Sequence, residues 1–394
     1  MEAPVLIYYV VGFVTVGILA LDQLARRRFV TKPTESDLKQ VPAYADNVER
    51  ALQPGQTRIS PFIVAAKRPA SGFAFFAVGA LLLVFSGLRF STGTDYNLYA
   101  ALFSQIDSSS LANSIQRVPQ DLGYVVLSYL LKNLSANPYI LFWASAFLTV
   151  APLMFALYRK SINPTASLFV YYFLGLYVLS FNAIRQSISV AFLLLADTYR
   201  EESRVKWLVF SAIASLIHIS ALMVFVIQLF AAFWKPTRLT AIVLLTLSSL
   251  IAAVLLQTDL LNQLAGSLNE RYEDYLVVDH GAGLGTMLSL VVRIMMILLI
   301  FSLATTKTDR RHLAFVAISA AILIFAMSNS LMGRFDSYFA VFLVFLLPSA
   351  LRGDEVPVWR KILVYGGLVV YLGFYVVGYN EVNPYTFIPE LRIN

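Results

Sequence analysis

Apolar runs of about twenty residues recur along most of this chain, each bounded by short polar stretches and each long enough to cross a hydrocarbon core of about 30 Å. Residues 4–24, 71–88, 139–158, 165–181, 183–199, 205–218, 219–234, 239–257, 286–304, 312–329, 336–351 and 360–378 are the predicted spans. They are apolar all round and do not alternate as barrel strands do, so helices satisfy their backbone groups. The expected fold class is an all-α polytopic membrane protein with about 12 transmembrane helices. The whole of 1–394 reads as a single integral membrane domain.

The 121–135 segment breaks the pattern. It is short, it carries Lys132, and counting it as a crossing would invert every later span. We therefore expect a re-entrant or interfacial helix there.

Charge then orients the array. Of thirty Lys and Arg residues, 22 fall in six clusters: Arg26–Arg68, Arg159/Lys160, Arg200/Arg204/Lys206, Lys235/Arg238, Lys307/Arg310/Arg311 and Arg352/Arg360/Lys361. A twelve-span path with an outside N-terminus places all six on the cytoplasmic side, as the positive-inside bias requires. The basic residues follow the first apolar run instead of preceding it, which is the reverse of a cleaved signal peptide. The five prolines and mixed charge of 25–70 read as a cytoplasmic loop on anionic lipid. The opposite face carries loops 89–120, 258–285 and 328–338. The net charge of +7 is accounted for by orientation and does not imply nucleic acid. There is no cysteine, which excludes disulfide and thiolate chemistry, and no Walker loop, GxSxG elbow, HExxH or dinucleotide fingerprint.

Five arginines stand against the charge bias. Arg89, Arg185, Arg271, Arg293 and Arg334 all approach the outer face, where a polyanionic substrate is the economical reason for them. Asn182, Arg185 and Gln186 open one helix, and the i, i+3, i+4 spacing turns a guanidinium and two amides to one side. A helix N-terminus beside a forked donor suits an anion. The bland alternative is an arginine reaching lipid phosphate or pairing with an acid.

His218 lies at the turn between two spans. Its imidazole would accept a proton from a sugar hydroxyl near neutral pH, or would only bond a carbonyl at a helix end. Asp95 is a second base candidate, or a partner for Arg89 or Arg185, or a turn residue. Tyr272 and Tyr275 beside Arg271, and Tyr338 near Arg334, would place phenols next to guanidiniums. No paired carboxylates suggest a metal site, so no metal or other cofactor is expected.

Gly93-Thr94-Asp95-Tyr96 with Tyr99, Asn182-Ala183-Ile184-Arg185-Gln186, Ile217-His218-Ile219-Ser220-Ala221, and Gly333-Arg334-Phe335 with Tyr338 and Pro348 occur in an order that resembles the EpsG family. These are Wzy-like polymerases of bacterial surface polysaccharides. The resemblance spans roughly residues 70–380. It implies a GT-C-like glycosyltransferase architecture in the bacterial inner (cytoplasmic) membrane, with the active site facing the periplasm or cell exterior. The implied reaction moves a growing glycan from undecaprenyl diphosphate onto the non-reducing end of another lipid-linked repeat unit, with inversion. The implied partners are that lipid-linked oligosaccharide, membrane lipid, and a chain-length regulator and flippase of the same pathway.

On this reading Arg185 and Arg334, with Arg271, clamp the diphosphate, and His218 or Asp95 takes the acceptor proton. Asn182, Gln186, Arg89 and Arg293 bind substrate, and Tyr96, Tyr99, Tyr272, Tyr275 and Tyr338 line the glycan path. A transporter or flippase of lipid-linked sugars, or a membrane O-acyltransferase, is the alternative.

Overall fold

The computed structural model describes residues 2–3, 5–28, 71–233, isolated positions between 237 and 251, 284–300, 307–327, 333–352, 356–378 and 385–388. Residues 29–70, the greater part of the predicted 239–257 span, and residues 258–283 lie outside them. Arg271, Tyr272, Tyr275 and His280 therefore lie outside the described residues, as does the 328–332 part of the third loop.

The described chain is an all-α membrane protein. Its helices are α1 (Leu6–Arg28), α2 (Gly72–Gly87), α3 (Tyr96–Ser104), α4 (Leu111–Arg117), α5 (Leu122–Leu134), α6 (Tyr139–Lys160), α7 (Pro164–Phe173) and α8 (Leu176–Leu179). They continue with α9 (Ile184–Tyr199), α10 (Arg204–Ile217), α11 (Ser220–Phe233), α12 (Leu284–Ile300), α13 (Lys307–Ala326), α14 (Asp336–Ala340), α15 (Leu343–Ala350) and α16 (Val358–Gly378). Three of them, α1, α6 and α16, are both long and apolar enough to span a bilayer on those criteria alone.

Two predicted spans are broken. Residues 165–181 divide into α7 and α8 because Gly175 turns left-handed, at φ 80°, and a Cβ there would strike the Tyr375 ring at 2.7 Å. Residues 336–351 divide into α14 and α15, and nearly every side chain in both is buried. Broken backbone at membrane depth is tolerated where protein surrounds it. The Ser167 hydroxyl supports this segment by donating to the Val344 carbonyl at 2.5 Å.

Among the described helices of ten residues or more, α9 is the most enclosed. It packs on α6 and α10 along its length and touches α11 and α14. Only Arg185 and Phe192 of its residues escape full burial. Arg185 stands in its first turn and Asp197 in its last; twelve residues at 1.5 Å each set them about 18 Å apart along the axis.

A short antiparallel pair joins the two ends of the described chain. Glu2 lies opposite Thr386 and Ala3 opposite Tyr385, while Arg89 bridges to Phe387. The N-terminus, the start of the first loop and residues 385–387 thus meet at one end of the bundle. Aromatic rings fill the space beneath: Phe85 and Tyr385 stack with centroids 4.4 Å apart, and Phe181 and Tyr8 close around them. The Tyr177 hydroxyl donates to the Leu82 carbonyl at 2.6 Å, so the phenols in this core retain polar partners.

Candidate active site

The first turn of α9 forms because the chain reverses tightly at Phe181–Ala183, where the Ala183 amide donates to Leu179 O at 2.9 Å. That reversal presents Arg185 and Gln186 at the helix N-terminus. Gly93, at φ 96°, lets the first loop dock on the same turn. A Cβ on it would lie 2.1 Å from Asn182 Oδ1 and 2.8 Å from the Phe181 carbonyl oxygen. Asn182 is accordingly buried in a seam between loop and helix.

The acid that meets Arg185 is Asp121, the residue immediately before α5. Arg185 Nη1 donates to Asp121 Oδ2 in a short ion pair, and His218 Nδ1 lies 2.8 Å from the same oxygen. The Ile219 amide donates to the other oxygen, Oδ1, at 3.4 Å. The side chains of Asp121, Arg185 and His218 are 16, 20 and 21% exposed, so the cluster is sheltered yet open to one side.

Burial pushes the Asp121 carboxyl up, but the His218 hydrogen bond and the Arg185 charge outweigh it and hold the group below the usual carboxylate range. Asp121 is therefore an anion that fixes two cationic or donor groups, with its proton-accepting capacity already committed.

His218 ends α10 in extended backbone, and Ser220 starts α11. With Nδ1 directed at Asp121, the other ring nitrogen, Nε2, lies 3.3 Å from Ser220 Oγ. Tyr338, on α14, is buried beside Ser220, Asp121 and Arg185. Tyr99 and Tyr124 line the other flank, their rings edge to face at 5.8 Å and Arg185 over Tyr124 at 6.0 Å. Burial raises both phenols above the usual range while the Arg185 charge pulls them back, so they stay neutral.

Gln186 ties this cluster to the third loop, donating to Ser337 Oγ at 2.7 Å and, in a short bond, to the Arg334 carbonyl. The Arg334 side chain itself is exposed.

The predicted residues thus divide. Arg185, His218, Gln186, Tyr99 and Tyr338 come together, with Asn182 in the adjoining seam. Asp95 does not take the acidic place expected of it. It is half-buried, accepts from Thr94 Oγ1 at 3.3 Å, and forms no ion pair within 4 Å among the described residues. Asp121 occupies that place because α5 docks against the end of α10, a contact between segments about a hundred residues apart.

Arg89 is 1% exposed and bonds its own turn, donating to Ser86 O at 2.6 Å and Ser86 Oγ at 2.7 Å. It lies over the Phe181 and Phe142 rings at 5.0 and 5.3 Å. Arg89 is thus enclosed by its own turn and by rings. Tyr96 is stacked flat on Phe142 at 3.9 Å and presents no free face.

Arg293 is equally enclosed, donating to Asp336 Oδ2 and Ser319 Oγ, each at 2.9 Å. It reaches the cluster only indirectly, by anchoring the first residue of α14, which carries Tyr338. Among the described residues no group of three His, Asp or Glu side chains is placed to hold a metal ion.

Asp121 was legible in the sequence only as a helix-start residue, an acid directly ahead of an apolar run. Nothing local marks it as the partner of His218, 97 positions away.

At the opposite end of α9 a second polar cluster closes the bundle. Asp197 is fully buried and accepts from Arg311 Nη2 and His312 Nε2, both at 3.1 Å, with Lys160 Nζ at 3.9 Å. Cations gathered at a helix C-terminus complement its dipole, so this cluster reads as a structural clamp.

Fold and site together define a polytopic helical membrane protein with an arginine, a histidine and a shared carboxylate at one end of a deeply buried helix. The model of the EpsG family matches residues 72–389, a range that includes the residues of the cluster. The chain belongs to the EpsG family, a family of Wzy-like polysaccharide polymerases. No curated protein and no solved structure matched this chain.

Proposed function

We propose that this polysaccharide polymerase transfers a growing glycan from undecaprenyl diphosphate to a hydroxyl at the non-reducing end of a second lipid-linked repeat unit. The observation that carries the reading is one carboxylate, Asp121, shared by Arg185 and the Nδ1 side of His218. An anion on Nδ1 keeps that nitrogen protonated and leaves Nε2 as the basic nitrogen, where Ser220 Oγ at 3.3 Å holds the place an acceptor hydroxyl would take.

In the step we infer, the acceptor hydroxyl gives its proton to His218 Nε2 as its oxygen bonds to the anomeric carbon. The bond from that carbon to the diphosphate oxygen breaks on the opposite side, which inverts configuration. The departing diphosphate gains negative charge, and Arg185 is placed to stabilise it. A single carboxylate does not use all five guanidinium donors, and Arg185 Nε is buried without a hydrogen-bond partner among the described residues. Preorganised charge of this kind is worth most where water is excluded. Arg334, exposed beside Gln186, and Arg271 would extend the clamp, while Tyr99, Tyr338, Tyr272 and Tyr275 would line the path of the sugars. No metal step is required, because guanidinium groups carry the charge stabilisation.

The GT-C-like architecture, the twelve-span path and the bacterial inner membrane location belong to this same reading. Its support is that the N-terminus and residues 385–387 share an end with Arg89, as an even number of crossings requires. With the basic clusters inside, that end faces the periplasm or cell exterior. A chain-length regulator and a flippase are the partners such a polymerase would work beside.

The Asp121–His218–Ser220 chain gives the O-acyltransferase alternative one supporting observation. It is weakened because the Ala221 and Leu222 amides, the nearest candidates for holding an oxyanion, donate to His218 O and Ile219 O at 2.9 Å.

The test is elongation by purified protein supplied with a diphosphate-linked repeat unit, with and without chelator. We expect polymer ladders in both, and none from Arg185→Ala. Long polymer from Arg185→Ala, or ladders abolished by chelator, would overturn the assignment.

A further inference from the structure

We infer that Gly123 is a positioning residue for the Asp121–His218 pair, an inference that rests on the polymerase reading above. Gly123 stands two residues after Asp121, inside α5. Leu216 stands two residues before His218, inside α10. A Cβ built on Gly123 would lie 2.6 Å from the Leu216 carbonyl oxygen, 2.7 Å from its carbonyl carbon and 3.0 Å from its Cβ.

Two of those three atoms are backbone, so no side-chain rotation relieves the contact. Ordinary van der Waals separation begins near 3.4 Å, so the two helices would have to part by about 0.8 Å. An isolated glycine inside a helix costs about 1 kcal/mol relative to alanine, a cost that close backbone approach justifies.

The geometry at the site explains why that approach matters. Asp121 is held to His218 at 2.8 Å and to the Ile219 amide at 3.4 Å, and both partners belong to the α10–α11 junction that Leu216 leads into. The same carboxylate also binds Arg185, on α9. Moving α5 outward by most of an ångström stretches every one of these contacts together. Misplacement of about 1 Å at a reacting constellation is enough to cost roughly 10²-fold in rate. Glycine at 123 thus sets the depth at which the short helix α5 delivers its leading carboxylate.

Other glycines provide a control. Gly366 and Gly367 lie in α16, and a Cβ on either meets nothing within 4 Å. Alanine there should leave both rate and folding intact.

The experiment compares full-length wild type, Gly123→Ala, Asp121→Asn, the double variant and Gly367→Ala, each purified in detergent and checked for a single chromatographic peak. Elongation rates are measured against the concentration of lipid-linked repeat unit. We expect Gly123→Ala to lower kcat by about 10- to 10²-fold with KM for the repeat unit nearly unchanged. In the Asp121→Asn background the glycine substitution should have little further effect, because the carboxylate charge that it displaces is already gone.

A full-rate Gly123→Ala enzyme overturns the inference, as does a loss that persists undiminished in the Asp121→Asn background. If Gly123→Ala does not fold, Asp121→Glu, which shifts the carboxylate by one methylene with Gly123 intact, is measured instead, and full-rate elongation by it overturns the inference. Failure of the underlying reading looks different: Asp121→Asn would then polymerise at the wild-type rate.

Discussion

Replacing Asp121 with Asn changes one atom at the centre of the site and makes the strongest demand on the reasoning. The carboxylate accepts from three donors, Arg185 Nη1, His218 Nδ1 and the Ile219 amide. An amide offers one oxygen, so it cannot accept along both edges. With its oxygen in the place of Oδ2 it still accepts from Arg185 and His218 Nδ1, but its NH₂ then meets the Ile219 amide donor to donor and the negative charge is gone. His218 thereby loses the counter-charge that stabilises its imidazolium as it takes the acceptor proton. A positioned general base contributes about 10²–10⁴ in rate, and a fall in kcat of that order is expected.

Stability should change less. Charge-assisted hydrogen bonds are worth about 1.5–3 kcal/mol, but burial works against the carboxylate here and returns part of that value when the charge is removed. A folded, monodisperse Asp121→Asn protein with greatly slowed ladder formation is the expected outcome, scored by gel or mass spectrometry of the glycan products. A variant that elongates at the wild-type rate would refute the role of the shared carboxylate.

Other consequences are equally open to measurement. The Asp121 carboxyl is held below its usual range, so its ionised form contributes fully above the unfolded carboxylate pKa of about 3.9 and is lost only as pH falls through the lower folded value. The difference in melting temperature between wild type and Asp121→Asn should therefore be flat from pH 5 to pH 8, and should shrink only below about pH 4. Arg293→Leu leaves Asp336 without its cation and should cost about 3–5 kcal/mol, while Arg293→Leu with Asp336→Leu should recover most of it; thermal unfolding of the two variants decides. Gly93→Ala combines left-handed backbone, at φ 96°, with overlap on Asn182 and Phe181. A loss of at least about 1–2 kcal/mol is expected from the backbone term alone, seen as a lowered melting temperature with reduced elongation.

The helical membrane class, and most helix positions, could be read from hydropathy because a bilayer imposes its demand locally: about twenty apolar residues satisfy it wherever they occur. Arg185, Gln186 and His218 were legible for a related reason, since a polar residue at a span end is costly or exceptional enough to stand out. The breaks at Gly175 and between α14 and α15 were not, because continuous apolarity is equally compatible with a whole span and with fragments enclosed by protein.

Tertiary structure alone decided which acid stands beside Arg185 and His218. Asp95 and Asp121 both precede short helices, both belong to or border the 89–120 loop, and carry identical side chains. Only the docking of α5 on α10, where Gly123 meets the Leu216 backbone, selects Asp121. The same holds for Arg89 and Arg293, two of the five arginines that stand against the charge bias. Their own sequence neighbourhoods do not distinguish a substrate ligand from a buried clamp. That distinction rests on Ser86, Ser319 and Asp336, and on the rings of Phe142 and Phe181. Charge placement is recorded along the chain, whereas charge partnership depends on which distant segments share a few ångströms of space.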